Sequence, residues 1–114
     1  MVVRAMRAHA AQDALVRQCL WVLATVACCV ENRRKIVAAG GVEQVVRAME
    51  EHVNKWPVQW RASMCLEQLA SNQDARLAIK RAKGVQALEK VAVNHNGNVR
   101  VCEAAANALG KLGE

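Results

Sequence analysis

The side chains of this 114-residue chain that could do chemistry are three histidines, five cysteines and a few charged runs. His9, His52 and His95 recur every 43 residues. One zinc ion would need their nitrogens about 2 Å away. Equivalent positions on stacked helices lie about 8–10 Å apart, too far to share an ion. A histidine in a last helical turn better serves to bond free carbonyls at the negative end of the helix dipole. The cysteines, at 19, 28, 29, 65 and 102, are odd in number and contain no C-x-x-C pair. They are expected to be free, buried thiols in a reducing compartment. Cys28 and Cys29, read as neighbours on a helix, point about 100° apart and chelate poorly, although a redox or metal role is the alternative. Glu50-Glu51 beside His52 reads as a solvated helix face. Asn32-Arg33-Arg34-Lys35 places three charges that could meet phosphate or a membrane surface, with a solvated face favoured. No nucleophile, base and acid form a set, so neither catalysis nor a cofactor is expected.

The elements that must position these residues are written in a repeat. Val2, Val3, Arg4, Ala5, Met6 and His9 recur 43 residues later as Val45, Val46, Arg47, Ala48, Met49 and His52. Leu23, Leu66 and Leu109 keep the same interval, as do Val26, Leu69 and Leu112. Arg33 and Ile36 return as Arg76 and Ile79, and Gly41 returns as Gly84. The units are 1–40, 41–83 and 84–114, about 2.7 copies of 43 residues in one domain.

Each unit reads as helical. Val42, Val45, Val46 and Met49 follow the i, i+3, i+4, i+7 spacing of an amphipathic helix running to about Glu51. Gly40-Gly41 breaks the chain before it. After a polar turn from His52 to Trp56, Pro57 fits the first turn of a second helix, where its missing N–H costs nothing. Val58, Ala62, Cys65, Leu66 and Leu69 form the stripe of that helix. Asp13 is expected as the N-cap one unit earlier. A short helix spans about Asp74 to Ala82, and Gly84 closes the unit. The chain is 54% hydrophobic with one Pro and no Phe or Tyr. Its best apolar run, from Cys19 to Val30, is too short for the ~20 residues a bilayer span needs.

Three helices per unit, the Gly-Gly break and the segment Asn32-Arg-Arg-Lys-Ile-Val-Ala-Ala-Gly-Gly-Val42 resemble the armadillo repeat. The similar HEAT repeat has two helices and usually lacks the Gly-Gly. The resemblance covers the whole chain and implies an all-α, right-handed α-α superhelix. It also implies that the chain begins in the second helix of one repeat and ends in the third helix of another. Val2, Val3 and Met6 open the chain and Ala104 to Ala108 with Leu112 close it, without the polar caps that solenoid ends need. The expectation is a fragment of a longer array, or ends that stack on a second copy.

In the armadillo family the third helices line a concave groove that binds partners. Its positions, four apart on one helix face, would be Arg17, Trp21 and Thr25, then Trp60, Met64 and Gln68, then Glu103, Asn107 and Lys111. Nuclear-import receptors of the family hold basic peptides with a Trp and an Asn four residues later. Here Trp21 is followed by Thr25, Met64 by Gln68 and Asn107 by Lys111, so no unit keeps both. Arg17, Arg61 and Lys111 are a thin version of the basic row with which other members grip acidic peptides. Trp21, Trp60 and Met64 are the candidate apolar anchors. Trp21 could instead pack inward, and Trp56 is expected to cover a helix end.

The expected function is a non-catalytic scaffold for an extended or helical protein segment. The alternatives are nucleic-acid or acidic-partner binding, or a structural spacer in a longer solenoid. The net charge of +6 is biased toward residues 1–40, which carry six Lys/Arg against two acids. Few aromatics are present to stack on bases. The expected address is the cytoplasm, or else the nucleus, with no membrane partner.

Overall fold

The computed structural model describes residues 2–8 and 12–113. Among these the chain is all α-helical, with eight helices in sequence: α1 (Val2–Ala8), α2 (Asp13–Val26), α3 (Val30–Ala38), α4 (Gly41–Glu51), α5 (Trp56–Leu69), α6 (Gln73–Arg81), α7 (Gly84–Asn94) and α8 (Val99–Lys111). Helices α2, α5 and α8 start 43 residues apart, and α1, α4 and α7 end 43 residues apart. Helix α5 lies centrally, packed on α2, α8 and α4. Helices α4 and α7 pack on one another and each on the helix that follows it.

One continuous core runs through these contacts. Val16, Leu20 and Leu23 of α2, Val58, Leu66 and Leu69 of α5, and Val101, Ala105 and Ala108 of α8 are buried in it. Val42, Val45 and Met49 of α4 and Leu88 and Val91 of α7 join from the other side. The stripes recur every three to four residues because that spacing keeps side chains on one helix face.

The glycine breaks have a steric cause. A Cβ on Gly41 would sit 2.4 Å from Ile36 Cγ2 and 2.8 Å from the Ile36 carbonyl oxygen. A Cβ on Gly84 would sit 2.4 Å from Ile79 Cγ2. The start of each long helix therefore presses on the preceding short helix. The residue before the contact turns through left-handed backbone. Gly40 does this at φ +80°, and Lys83 does the same at φ +65° with a side chain attached.

Polar side chains pin the helices where they end. The buried amide of Gln59 in α5 donates to the Met49 and His52 carbonyls at the end of α4, at 3.0 and 2.7 Å. One unit later, Cys102 Sγ in α8 lies 3.1 Å from the His95 carbonyl oxygen, at the end of α7. His95 Nε2 reaches back 2.8 Å to the Val53 carbonyl oxygen, and His52 is buried at the end of α4. His9 lies outside the described residues.

Several expectations are corrected. Gln12, not Asp13, is the N-cap of α2, and Asp13 is the first helical residue. Its carboxylate still lies in the first turn, where negative charge meets the positive helix end. Cys28 and Cys29 are exposed, and they occupy a turn after α2 rather than a helix. Helix α2 stops there because side chains from α3 claim its last carbonyls. Asn32 Nδ2 donates to the Val26 carbonyl at 3.0 Å, and Arg33 Nη1 to that of Ala27 at 2.9 Å. Arg33 is thus buried rather than solvated, and its Nε donates to Asn72 Oδ1 at 2.7 Å. At the two ends Val3, Met6, Ala104, Ala105, Ala108 and Leu112 are all buried.

Candidate partner-binding face

Helices α2, α5 and α8 carry all nine residues of the expected binding row, and none of the nine is buried. Trp21 on α2 is 49% exposed. The Arg61 guanidinium carbon of α5 lies over it, 5.4 Å from the ring centroid. Arg61 is held there by a bond from Nη1 to the Arg17 carbonyl at 3.1 Å. Thr25 is exposed and spends its hydroxyl on the Trp21 carbonyl, at 2.8 Å.

The pattern recurs on the next pair of helices. Trp60 of α5 is partly buried against the core. The Arg100 guanidinium of α8 lies 5.2 Å from its ring centroid. Trp56 opens α5 instead of lying in the turn before it, and its ring is 6.3 Å from that of Trp60, tilted by 41°. A guanidinium over an indole face is attracted by the ring quadrupole, worth about 0.5–1 kcal/mol at an exposed site. The two rungs fix the orientation of both indoles while leaving part of each ring in solvent.

Between α5 and α8 lies an open cleft of about 300 Å³, lined by Trp60, Met64, Glu67, Arg100, Glu103, Ala104 and Asn107. The expected residues Trp60, Met64, Glu103 and Asn107 meet there. Arg17 and Trp21 form the neighbouring rung with Arg61. Thr25, Gln68 and Lys111 lie outside the cleft, and the Lys111 ammonium donates to Ser71 Oγ at 3.3 Å. The apolar floor is Trp60, Met64 and Ala104, and the rim carries both signs of charge through Arg100, Glu67 and Glu103.

Arg100 and Glu67 were not among the residues expected from sequence. The signal for Arg100 lies in a second interval. Trp21 and Arg61 are 40 residues apart, and so are Trp60 and Arg100. That interval is the repeat less one helical turn. A residue therefore meets a side chain one turn earlier on the next helix, and each tryptophan should be searched for a cation at that offset.

Other places offer less. A second pocket of about 180 Å³ lies between α4 and α7 under Met49, Val53 and Val91. Of the basic run at 33–35, Arg33 is consumed by its internal bonds and only Arg34 and Lys35 are exposed. Glu51 pairs with Arg47 at 2.8 Å on the surface of α4. Cys65 is fully buried, and desolvation pushes its thiol up to about 12. Burial raises the Cys19 thiol in the same direction. Among the described residues no three His, Cys, Asp or Glu side chains are grouped closely enough for a metal ion. No described helix is long and apolar enough to cross a membrane.

No protein-family model, no curated protein and no solved structure matches this chain.

Proposed function

We propose that this chain is an armadillo-type helical solenoid acting as a non-catalytic interaction scaffold, which holds an extended or helical segment of a protein partner across α2, α5 and α8. The observation that carries the reading is the pair of cation-stacked tryptophans. Trp21 under Arg61 and Trp60 under Arg100 are ordered on the surface, with ring area still open to solvent. Large rigid side chains fixed in advance lose little entropy on binding, and Trp and Arg are enriched where interfaces carry their energy. The cleft beside Trp60 is sized for one partner side chain, with Glu67, Glu103 and Arg100 at its rim to bond the partner's backbone or charged groups. The 43-residue interval and the Asn32–Val42 segment support the family assignment.

The test compares the wild-type chain with Trp60→Ala/Met64→Ala in a cell-lysate pull-down, identifying proteins and nucleic acids alike. The expected result is a protein retained by the wild type and lost by the double variant, with matching circular dichroism for the two chains. Truncating a true anchor should cost about 2 kcal/mol or more of binding. Equal retention by both chains, or retention of nucleic acid alone, would rule the reading out.

A further inference from the structure

Charge changes sign along the face that runs across α2, α5 and α8. Where α2 meets α5, Arg61 Nη1 donates to the Arg17 carbonyl at 3.1 Å, which brings a second guanidinium onto the helix that carries the first. The Nε atoms of Arg17 and Arg61 are both sealed from water without a hydrogen-bond partner. Neither side chain pairs with a carboxylate among the described residues. Two cations are thus left uncompensated at one junction, and partial burial of a charge without a counter-charge costs free energy that an incoming anion recovers. The planar guanidinium fork suits a carboxylate, which it takes in bidentate fashion. Apart from Arg61 Nη1, the terminal nitrogens make no bond among the described residues, so they are the donors an anion meets.

Where α5 meets α8 the balance is reversed. The cleft beside Trp60 holds Glu67 and Glu103 against one guanidinium, that of Arg100, which is already engaged on the Trp60 ring. Neither carboxylate pairs with a base among the described residues. A lysine or arginine side chain fits this combination, its methylene stem on the apolar floor and its charged head at the two acids. An acidic side chain would meet like charge there, which costs affinity. The two junctions share α5, so they stand about one helix spacing apart, roughly 8–10 Å. A segment in polyproline II form rises about 3.1 Å per residue with three residues per turn, so side chains three positions apart share one face at about 9 Å.

We infer that the partner segment is extended and bears both signs of charge: an Asp or Glu at Arg17 and Arg61 and, three residues away, a Lys or Arg at Glu67 and Glu103. The inference rests on the scaffold reading and adds the chemistry that selects the partner. A uniformly acidic segment, a uniformly basic one or a nucleic-acid strand meets repulsion at one of the two junctions.

The test is fluorescence anisotropy with three labelled peptides of equal length and equal apolar content. At two positions three residues apart they carry an acid and a base, two acids, or two bases. The wild-type chain should hold the mixed peptide about tenfold more tightly than either of the others, and added salt should narrow the gap. Arg17→Glu should erase the preference over the two-base peptide and keep the preference over the two-acid one. Glu103→Lys should do the reverse. Neither side chain bonds within the fold among the described residues, so both variants should match wild type by circular dichroism. Binding that ignores peptide charge, or that favours two acids or two bases in the wild type, overturns the inference and leaves the scaffold reading standing. Preferences that survive Arg17→Glu and Glu103→Lys unchanged overturn it as well. If none of the three peptides binds, the inference falls, and the lysate capture with Trp60→Ala/Met64→Ala decides the scaffold reading separately.

Discussion

Lys83 occupies left-handed backbone at φ +65°, where an L side chain crowds its own carbonyl, and Gly40 fills the matching turn one unit earlier at φ +80°. Replacing Lys83 by Gly should stabilise the fold. The steric relief is about 1–2 kcal/mol. Against it, glycine enlarges the unfolded ensemble by roughly 0.4–1 kcal/mol. Nothing else is lost, because the Lys83 side chain is exposed. The turn's hydrogen bonds run through the backbone, from Lys83 N to the Lys80 oxygen at 3.1 Å and from Ala87 N to the Lys83 oxygen at 3.1 Å. The net gain is about 0.5–1 kcal/mol, a rise in Tm of roughly 2–5 °C for a domain of this size. Gly40→Lys should lose a similar amount, since a Cβ there meets only the flexible end of Arg7 at 3.3 Å. Urea unfolding read by circular dichroism measures both, and the slope with denaturant should not change. A Lys83→Gly chain with an unchanged or lowered midpoint would refute the assignment of backbone strain to this turn.

Gly41→Ala should be the most damaging glycine change, by about 2 kcal/mol or more on the scale of overpacked cores, because its Cβ collides with both the side chain and the carbonyl oxygen of Ile36; thermal unfolding reads it. Arg33→Met should destabilise by about 1–3 kcal/mol, as it leaves Asn72 Oδ1 and the Ala27 carbonyl oxygen without their donor; Arg34→Met, on the exposed surface, should be close to neutral in the same assay. A thiol reagent should label Cys28 and Cys29 quickly in the native protein, and Cys19 and Cys65 only on unfolding. Burial raises the folded-state pKa of Cys65 from 9.0 to about 12. Its contribution to stability is therefore full below pH 9 and declines as pH rises toward 12. Urea midpoints measured across that range should fall more steeply for wild type than for Cys65→Ala.

The helices were legible because their information is local. The stripe from Val42 to Met49, the Gly40-Gly41 break and Pro57 each act within a turn or two of chain, and α4 and α5 lie where they indicate. The misreadings concern long-range partners. Nothing near Arg33 announces Asn72, 39 residues on, so a basic run looked solvated. The turn at Cys28-Cys29 is dictated by Asn32 and Arg33 reaching back for the carbonyls of α2, which an unbroken apolar run conceals. At the candidate face the helical period found the exposed row but not Arg100, because the cation belongs to a different helix from the indole it covers. The buried state of Val3 and Met6, and the exposure of Val22 and Val26, depend on which neighbours are present rather than on hydrophobicity.

The Arg33–Asn72 seam has a mechanical meaning. Asn72 sits between α5 and α6, and it both accepts from Arg33 and donates to the Val30 carbonyl at 3.4 Å. Sliding the second unit along the first must break both bonds together, since both are short-range and directional. Opening the stack like a book, by contrast, strains the weak surface rungs first. The molecule should therefore be stiff in shear and softer in flexure, a spring that bends around what it touches without losing its register.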